Sequence, residues 1–368
     1  MQNQTQCNLK GREKLFLLHL DQAASCCKAY PQPLTDVQTL LDSWDQERQQ
    51  LEQGRAVPSC EVCWRRQQQG QVSERQLRGH QTHNQVQLFL DNTCQQMCSY
   101  CSPKFSSTWQ NSIEQLGPFE RISQSARANQ IPVAMVTDHS KWLDQIDQYI
   151  LSQPKDSVIL QLLGGEPLMQ YRNLEKLTAL YSDSVAKITV TTNLNPPSNR
   201  FLVWLLDRVP PEKLHFNISI DATPQYNHVP RAGFDQQRFE QNFDLIQSHG
   251  IDFSLMAVVS VLSVFDLPNF AIWAGSNHTV YNHLNNPDCL DAAWIGQPFL
   301  SQIAERFQTP PPALFDNLGK ANNSLVDVKL YEQYNYLTQY FERTGQNPRS
   351  IANDIWQQYW TWLEGKYQ

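Results

Sequence analysis

Residues 93–105 read TCQQMCSYCSPKF, which sets thiols at Cys94, Cys98 and Cys101 directly behind the apolar run VQLFLD at 86–91. Three thiols at this spacing cannot all pair with one another, and thiolates are ligands for soft metals and iron-sulfur clusters. On one loop they can hold three corners of a cubane and leave the fourth iron without a protein ligand, an open and reactive position. Zinc is the other reading. Structural zinc normally closes its site with four protein ligands, and no fourth cysteine or histidine follows nearby, although His80 and His83 lie upstream.

The nine cysteines fall at 7, 26, 27, 60, 63, 94, 98, 101 and 289, so eight lie in the first 101 residues. In a reducing compartment such thiols are metal ligands or free groups rather than disulfides. SCEVCW at 59–64 places Cys60 and Cys63 two residues apart, behind Cys7 and the adjacent Cys26 and Cys27. The hydrophobic content of this N-terminal segment is thin for its size, and it reads as a small metal-stapled domain. Cys289 stands alone and reads as a small buried hydrophobe.

Other segments carry groups suited to a ligand. GGEP at Gly164, Gly165, Glu166 and Pro167 combines glycines that let a backbone approach closely with a carboxylate for an ammonium, though such a segment is often only a turn. TVTTN at 189–193 and SID at 219–221 place Thr191, Thr192, Asn193, Ser219 and Asp221 at the carboxyl ends of strands, where barrel sites are built. Strand-end hydrogen bonding would explain those residues equally. YNHVPRAG at 226–233 carries Arg231, which is otherwise a solvated surface arginine, and Val258 to Val261 are otherwise core.

Taken in order, these landmarks resemble the radical S-adenosylmethionine superfamily, whose hallmark is C-x3-C-x-aromatic-C after the first barrel strand. Cys94, Cys98, Tyr100 and Cys101 match it position by position. The resemblance covers residues 86 to about 275. It implies a 4Fe-4S cluster with an open iron on the three cysteines, and S-adenosylmethionine cleaved to a 5′-deoxyadenosyl radical that abstracts hydrogen from a substrate. It further implies that Gly164 to Pro167 bind the methionine amino group. Thr192, Asn193, Ser219 and Asp221 would contact the ribose and carboxylate, Arg231 would pair with that carboxylate, and Val259 would lie near adenine.

The order C, CC, C-x2-C followed by Gly70, Ser73 and Arg75 resembles superfamily members with an auxiliary iron-sulfur domain of the SPASM or twitch type, here preceding the barrel. That implies four ligands: Cys7, one of Cys26 and Cys27, Cys60 and Cys63. Relatives have a glycine before the paired cysteines; LDQAASCC has none, so the pair is undecided, and zinc or no metal stay open as alternatives. The resemblance implies a ribosomally made peptide as substrate, crosslinked, oxidised or epimerised, and a reductant such as flavodoxin or ferredoxin. A small molecule or a nucleoside in RNA is the alternative substrate, and a non-catalytic, metal-stapled interaction protein the alternative of another class.

The elements that must position these residues follow from the apolar pattern. Strands are expected at 86–91, 158–164, 187–193, 215–221, 252–261 and 279–284, with helices at 138–152, 171–183, 198–208, 234–249 and 265–275 between them. This alternation is the signature of a parallel α/β layout. The expected fold is a partial (β/α)6 TIM-like barrel over 83–285, with the cysteine-stapled domain at 1–82 and a helical C-terminal extension at 286–368; 104–137 reads as a loop or insertion. A chain of 368 residues suits a barrel-sized domain with appendages. The formal charge of −7 with no lysine or arginine run speaks against nucleic acid. The most apolar stretch, FSLMAVVSVLSVF at 253–265, is too short to span a bilayer. With no signal-peptide layout in its first 20 residues, the protein is expected in the cytoplasm.

Overall fold

The computed structural model describes residues 7, 10, 12–68, 73–77, 83–170, 184–284, 286–308, 318 and 325–368. The expected helix at 171–183 and Gly70 lie outside them. Among the described residues eleven strands follow in chain order: β1 Glu13–Leu17, β2 Gln22–Ala24, β3 Gln32–Pro33, β4 Asn84–Phe89, β5 Met97–Cys98, β6 Val158–Leu163, β7 Lys187–Thr192, β8 Leu214–Ser219, β9 Arg231–Ala232, β10 Asp252–Val259 and β11 Thr279–His283. The fold is mixed α/β with extensive parallel pairing. All six expected strands are present, each within about two residues of its expected bounds. The chain divides into two compact units, one of residues 1–92, 134–191 and 200–215, the other of 93–133, 192–199 and 216–368.

In the first unit the strand order is β7-β6-β4-β1-β2-β3. β4 pairs in parallel with β6, from Asn84 opposite Val158 to Phe89 opposite Leu163, and β6 pairs in parallel with β7. The N-terminal segment is not a separate small domain. EKLFL forms β1, parallel to β4 with Glu13 opposite Gln85, and β2 and β3 continue the sheet antiparallel. The reason is visible in burial: four of the five β1 residues are buried, so neither face can be left to water. The helix Val37–Glu52 is capped by Asp36, whose carboxylate accepts from Thr39 N at 2.8 Å. It buries Val37, Leu40, Leu41, Trp44 and Leu51 on one stripe, with Trp44 against Phe16 of β1. The helix Ser140–Ser152 joins it where Gln145 Oε1 accepts from Val37 N.

The second unit holds the order β11-β10-β8, with β10 and β11 parallel, and a small antiparallel pair of β5 with β9. The interval 104–137 is not simply a loop. Ser106 and Ser123 cap helices Ser107–Leu116 and Gln124–Ala128 by accepting from Trp109 N and Ala126 N. Only Trp109 and Ile113 of the first are buried, four residues apart, so its glutamine-rich sequence shows little periodicity.

The C-terminal residues form helices Gln297–Ala304, Val326–Thr344 and Asp354–Tyr367. They are built into this unit and are not an appendage. Trp356 packs edge-on against Phe265 at 5.4 Å and against Phe341 at 5.9 Å, and Asn353, which caps the last helix, donates to Phe265 O at 3.0 Å. The domain bounds expected at 82/83 and 285/286 therefore do not coincide with the compact units. Among the described residues no helix is long and apolar enough to cross a membrane. Trp356→Ala removes a fully buried indole and is expected to cost about 3–5 kcal/mol of stability, read as a lowered midpoint in urea denaturation.

Candidate functional site

The three-cysteine loop belongs to the second unit, and side chains from two helices of that unit, Ser107–Leu116 with its cap and Val326–Thr344, fix its backbone. Cys94 O accepts from Thr108 Oγ1 at 2.6 Å and Gln96 O from Ser106 Oγ at 2.9 Å. Met97 O accepts from Tyr340 Oη at 3.1 Å, Cys98 O from Trp109 Nε1 at 2.8 Å and Ser99 O from Tyr336 Oη at 2.6 Å. A buried loop without a ladder must satisfy its carbonyls this way. Met97 and Cys98 pair with Ala232 and Arg231, and Ser99 N donates to Pro230 O. Gly233 permits that approach: its φ is +88°, and a Cβ there would lie 2.8 Å from Gln95 O.

Within this frame the structure brings together four of the expected residues. Asp221, fully buried just past β8, accepts from Arg231 Nε and Nη2 at 2.8 and 2.9 Å, from Tyr100 Oη at 2.8 Å and from Val258 N at 2.9 Å. Arg231 Nη1 lies 3.7 Å from Cys98 Sγ. Burial works against the Arg231 charge, but Asp221 outweighs it and the guanidinium is held well above its usual range. Burial pushes the Cys98 thiol up to about 11, with Arg231 pulling the other way, and the Cys101 thiol up to about 12. Asn193 joins the group at Cys94, its Nδ2 3.8 Å from Sγ, while its Oδ1 accepts from Gln95 Nε2.

The remaining expected residues lie at strand ends and in a turn. Thr192 Oγ1 accepts from Leu194 N, turning the chain after β7. Ser219 ends β8 half-buried, and Val259 ends β10 in the core. In the first unit Gly164 has φ +138° and a Cβ there would meet Asp91 O at 2.9 Å; Gly165 N donates to the same carbonyl. Glu166 is fully buried and its Oε1 accepts from Leu168 N at the start of a 3-10 turn that Pro167 opens.

No family profile and no curated protein matches the sequence. Solved structures that it resembles include tagged anSMEcpe with bound AdoMet (15% identity, 70% of this chain and 57% of that one, TM-score 0.40). Streptococcus suis SuiB is another, bound to S-adenosylmethionine (13% identity, 78% and 51%, TM-score 0.35) or to precursor peptide SuiA (12% identity, 86% and 54%, TM-score 0.34). The chain thus spans little more than half the length of these proteins. With TM-scores of 0.40 and below, the case for its chemistry rests on its own residues.

The second cysteine group lies in the first unit. Cys7 packs against a cluster of Ala24, Cys26 and Ala29 and against another of Leu51, Val57 and Cys60. Burial pushes the Cys60 thiol up to about 12, with Cys7, Cys26 and Cys63 adding to the rise and Lys10 opposing it. Cys27 is exposed, and its N donates to Glu13 Oε2 at 2.9 Å. Among the described residues no group of three metal-ligating side chains is placed to hold one metal ion. Cys289 is buried, as expected for a small hydrophobe. Sequence reasoning missed the donors Trp109, Tyr336 and Tyr340; the SSTW run at 106–109 is a cap signal, whereas nothing local marks the two tyrosines.

Two outcomes follow from the buried charges. Asp221→Ala strands a buried guanidinium and is expected to destabilise the protein by about 3–5 kcal/mol, whereas Asp221→Leu with Arg231→Met recovers most of that loss in the same denaturation experiment. Metal-free protein is expected to lose stability as pH rises above about 9. The unfolded thiols ionise there, while Cys98 and Cys101 stay protonated in the fold up to about 11 and 12, so the unfolded state is favoured. Urea midpoints at pH 7.5 and 9.5 measure this, and the slope is expected to shrink in Cys98→Ala.

Proposed function

We propose that the protein is a radical S-adenosylmethionine enzyme, with Cys94, Cys98 and Cys101 holding a 4Fe-4S cluster that keeps one iron open. The observation that carries this reading is the loop itself, which presents three thiols and, fully buried among them, two polar groups with no partner among the described residues: Gln96 Nε2 and Ser99 Oγ. A buried donor left unmade costs about 1–3 kcal/mol, and the sulfurs of such a cluster accept hydrogen bonds. The donor set fits the group. When bound, the cluster and S-adenosylmethionine supply one-electron cleavage of the sulfonium and a carbon radical that takes hydrogen from a substrate C–H bond.

This chain's residues then bind and orient. Gly164 and Gly165 offer backbone at close approach and Glu166 a buried carboxylate for the methionine amino group. Thr192, Asn193 and Ser219 serve its ribose and carboxylate, and Val259 packs near adenine. Arg231 and Asp221 are committed to each other, so we assign them to positioning: they hold Tyr100 and Cys98. The chain-order succession of β4, β6 and β7 in one unit and of β8, β10 and β11 in the other supports a partial (β/α)6 barrel.

For the second group we take Cys7, Cys26, Cys60 and Cys63 as ligands of an auxiliary iron-sulfur cluster. The mutual influence of these four thiols and the exposure of Cys27 support that choice. The substrate class we adopt is a ribosomally made peptide, because an auxiliary cluster domain accompanies that chemistry in the group the sequence resembles. Protein purified without oxygen is expected to carry about eight irons with both clusters and about four with the first alone. With dithionite and S-adenosylmethionine it is expected to release 5′-deoxyadenosine; a Cys98→Ala variant that still does so would sink the proposal.

A further inference from the structure

Lys10 is a lysine whose side chain is fully buried, in the short stretch that follows Cys7. Its Nζ donates to Ser25 Oγ and to Ser59 Oγ, the latter at 2.6 Å, and pairs with the carboxylate of Glu47. Ser25 immediately precedes Cys26, and Ser59 immediately precedes Cys60. One ammonium therefore ties together the three chain segments that carry Cys7, Cys26 and Cys60. Glu47 anchors it from the helix Val37–Glu52 and also accepts from Ser59 Oγ at 2.9 Å.

A second buried cation stands by the same thiols. Arg75 is 7% exposed, with its guanidinium 3.7 Å over the Trp64 ring and its Nη2 on Gln67 Oε1. Its Nη1 is buried and has no partner among the described residues. Lys10 thus reaches the residues beside Cys26 and Cys60, and Trp64, over which Arg75 lies, packs with Cys7 against the cluster that holds Cys60, while the Glu13 carboxylate accepts from Cys27 N. Two buried cations around four thiols make a pocket matched to an anionic occupant. Four thiolates around a cluster or a zinc ion carry net negative charge, and a cluster becomes more negative on reduction.

We infer that Lys10 and Arg75 are positioning residues of the four-thiol site: Lys10 preorganises Cys7, Cys26 and Cys60, and the two cations together raise the reduction potential of the cluster held there. The inference rests on reading the site as an auxiliary iron-sulfur centre. Nearby positive charge favours the more negative, reduced state, and net charge and hydrogen bonding are established levers on cluster potentials.

The test uses full-length protein carrying Cys94→Ala, Cys98→Ala and Cys101→Ala, so that iron and redox signals report the four-thiol site alone. In this background we compare Arg75→Gln, Arg75→Lys, and Lys10→Met combined with Glu47→Gln, which leaves no buried carboxylate uncompensated. Iron content and an electron paramagnetic resonance redox titration are measured for each. Arg75→Gln is expected to lower the reduced-to-oxidised ratio at a fixed potential about tenfold, a midpoint shift of ~59 mV to the negative for a one-electron couple, and the Lys10/Glu47 pair, which removes one charge of each sign, to lower it by less. Arg75→Lys keeps the charge and is expected to stay near the parent. The Lys10/Glu47 pair is also expected to lose iron faster to a chelator. A parent without a cluster overturns the four-thiol reading and this inference with it; a parent cluster whose midpoint and iron retention are unmoved in the variants overturns the role of the two cations alone.

Discussion

A carboxylate and a guanidinium closed off from water have to neutralise each other, and Asp221 with Arg231 does so with both arms of the fork. Much of the three-cysteine loop's geometry hangs on that pair. Asp221 extends from β8 and accepts from Val258 N of β10, so the carboxylate is fixed by sheet backbone. Arg231 extends from β9, which is the antiparallel partner of Met97 and Cys98. The pair thus carries the rigidity of the sheet to the loop, and Tyr100 adds a third tie from within the motif. Removing one partner alone leaves a bare charge in a dry interior, so such a pair specifies geometry more than it adds stability.

The loop's other constraint comes from far along the chain. Tyr336 and Tyr340 lie one turn apart on the helix Val326–Thr344, and their hydroxyls reach Ser99 O and Met97 O. Trp109, from the helix that follows the motif, takes Cys98 O and packs against Phe119, which in turn meets Tyr336 edge-on at 4.8 Å. Trp109, Tyr336 and Tyr340 each have an apolar body for the core and one polar atom for the loop. A loop of polar backbone can therefore be buried with only the short pairing of β5 to β9, and its thiols do not need metal to have a defined backbone around them.

How far this could be read from sequence depended on whether the signal was local. The strands of the parallel sheets announced themselves because they are short apolar runs, and the thiols because their spacing has few uses. β1 was hidden because EKLFL is too short to be told from a buried patch until its partner β4 is known. The helices at 107–116 and 124–128 were hidden because each buries so little that glutamine and serine dominate them. Tyr336, Tyr340 and Lys10 could not have been found by spacing. Their roles exist only where distant segments meet, and a lysine before an apolar strand or a tyrosine on a helix otherwise belongs to the ordinary surface or core.

The two cysteine groups meet one electrostatic problem with the same kind of device. Burial makes a thiolate costly, and it raises Cys60 in one group and Cys98 and Cys101 in the other well above the ordinary thiol range. A ligand thiol must nevertheless lose its proton when metal enters. Beside Cys98 stands Arg231, itself held by Asp221; beside Cys26 and Cys60 stands Lys10, itself held by Glu47. Without the carboxylates the cations would be as costly to bury as the thiolates they face. With them, each cation is in place before any metal arrives and lowers the cost of the charge the site has to accept. The protons released on filling either site are then lost from thiols whose surroundings already favour the charged form more than burial alone would allow.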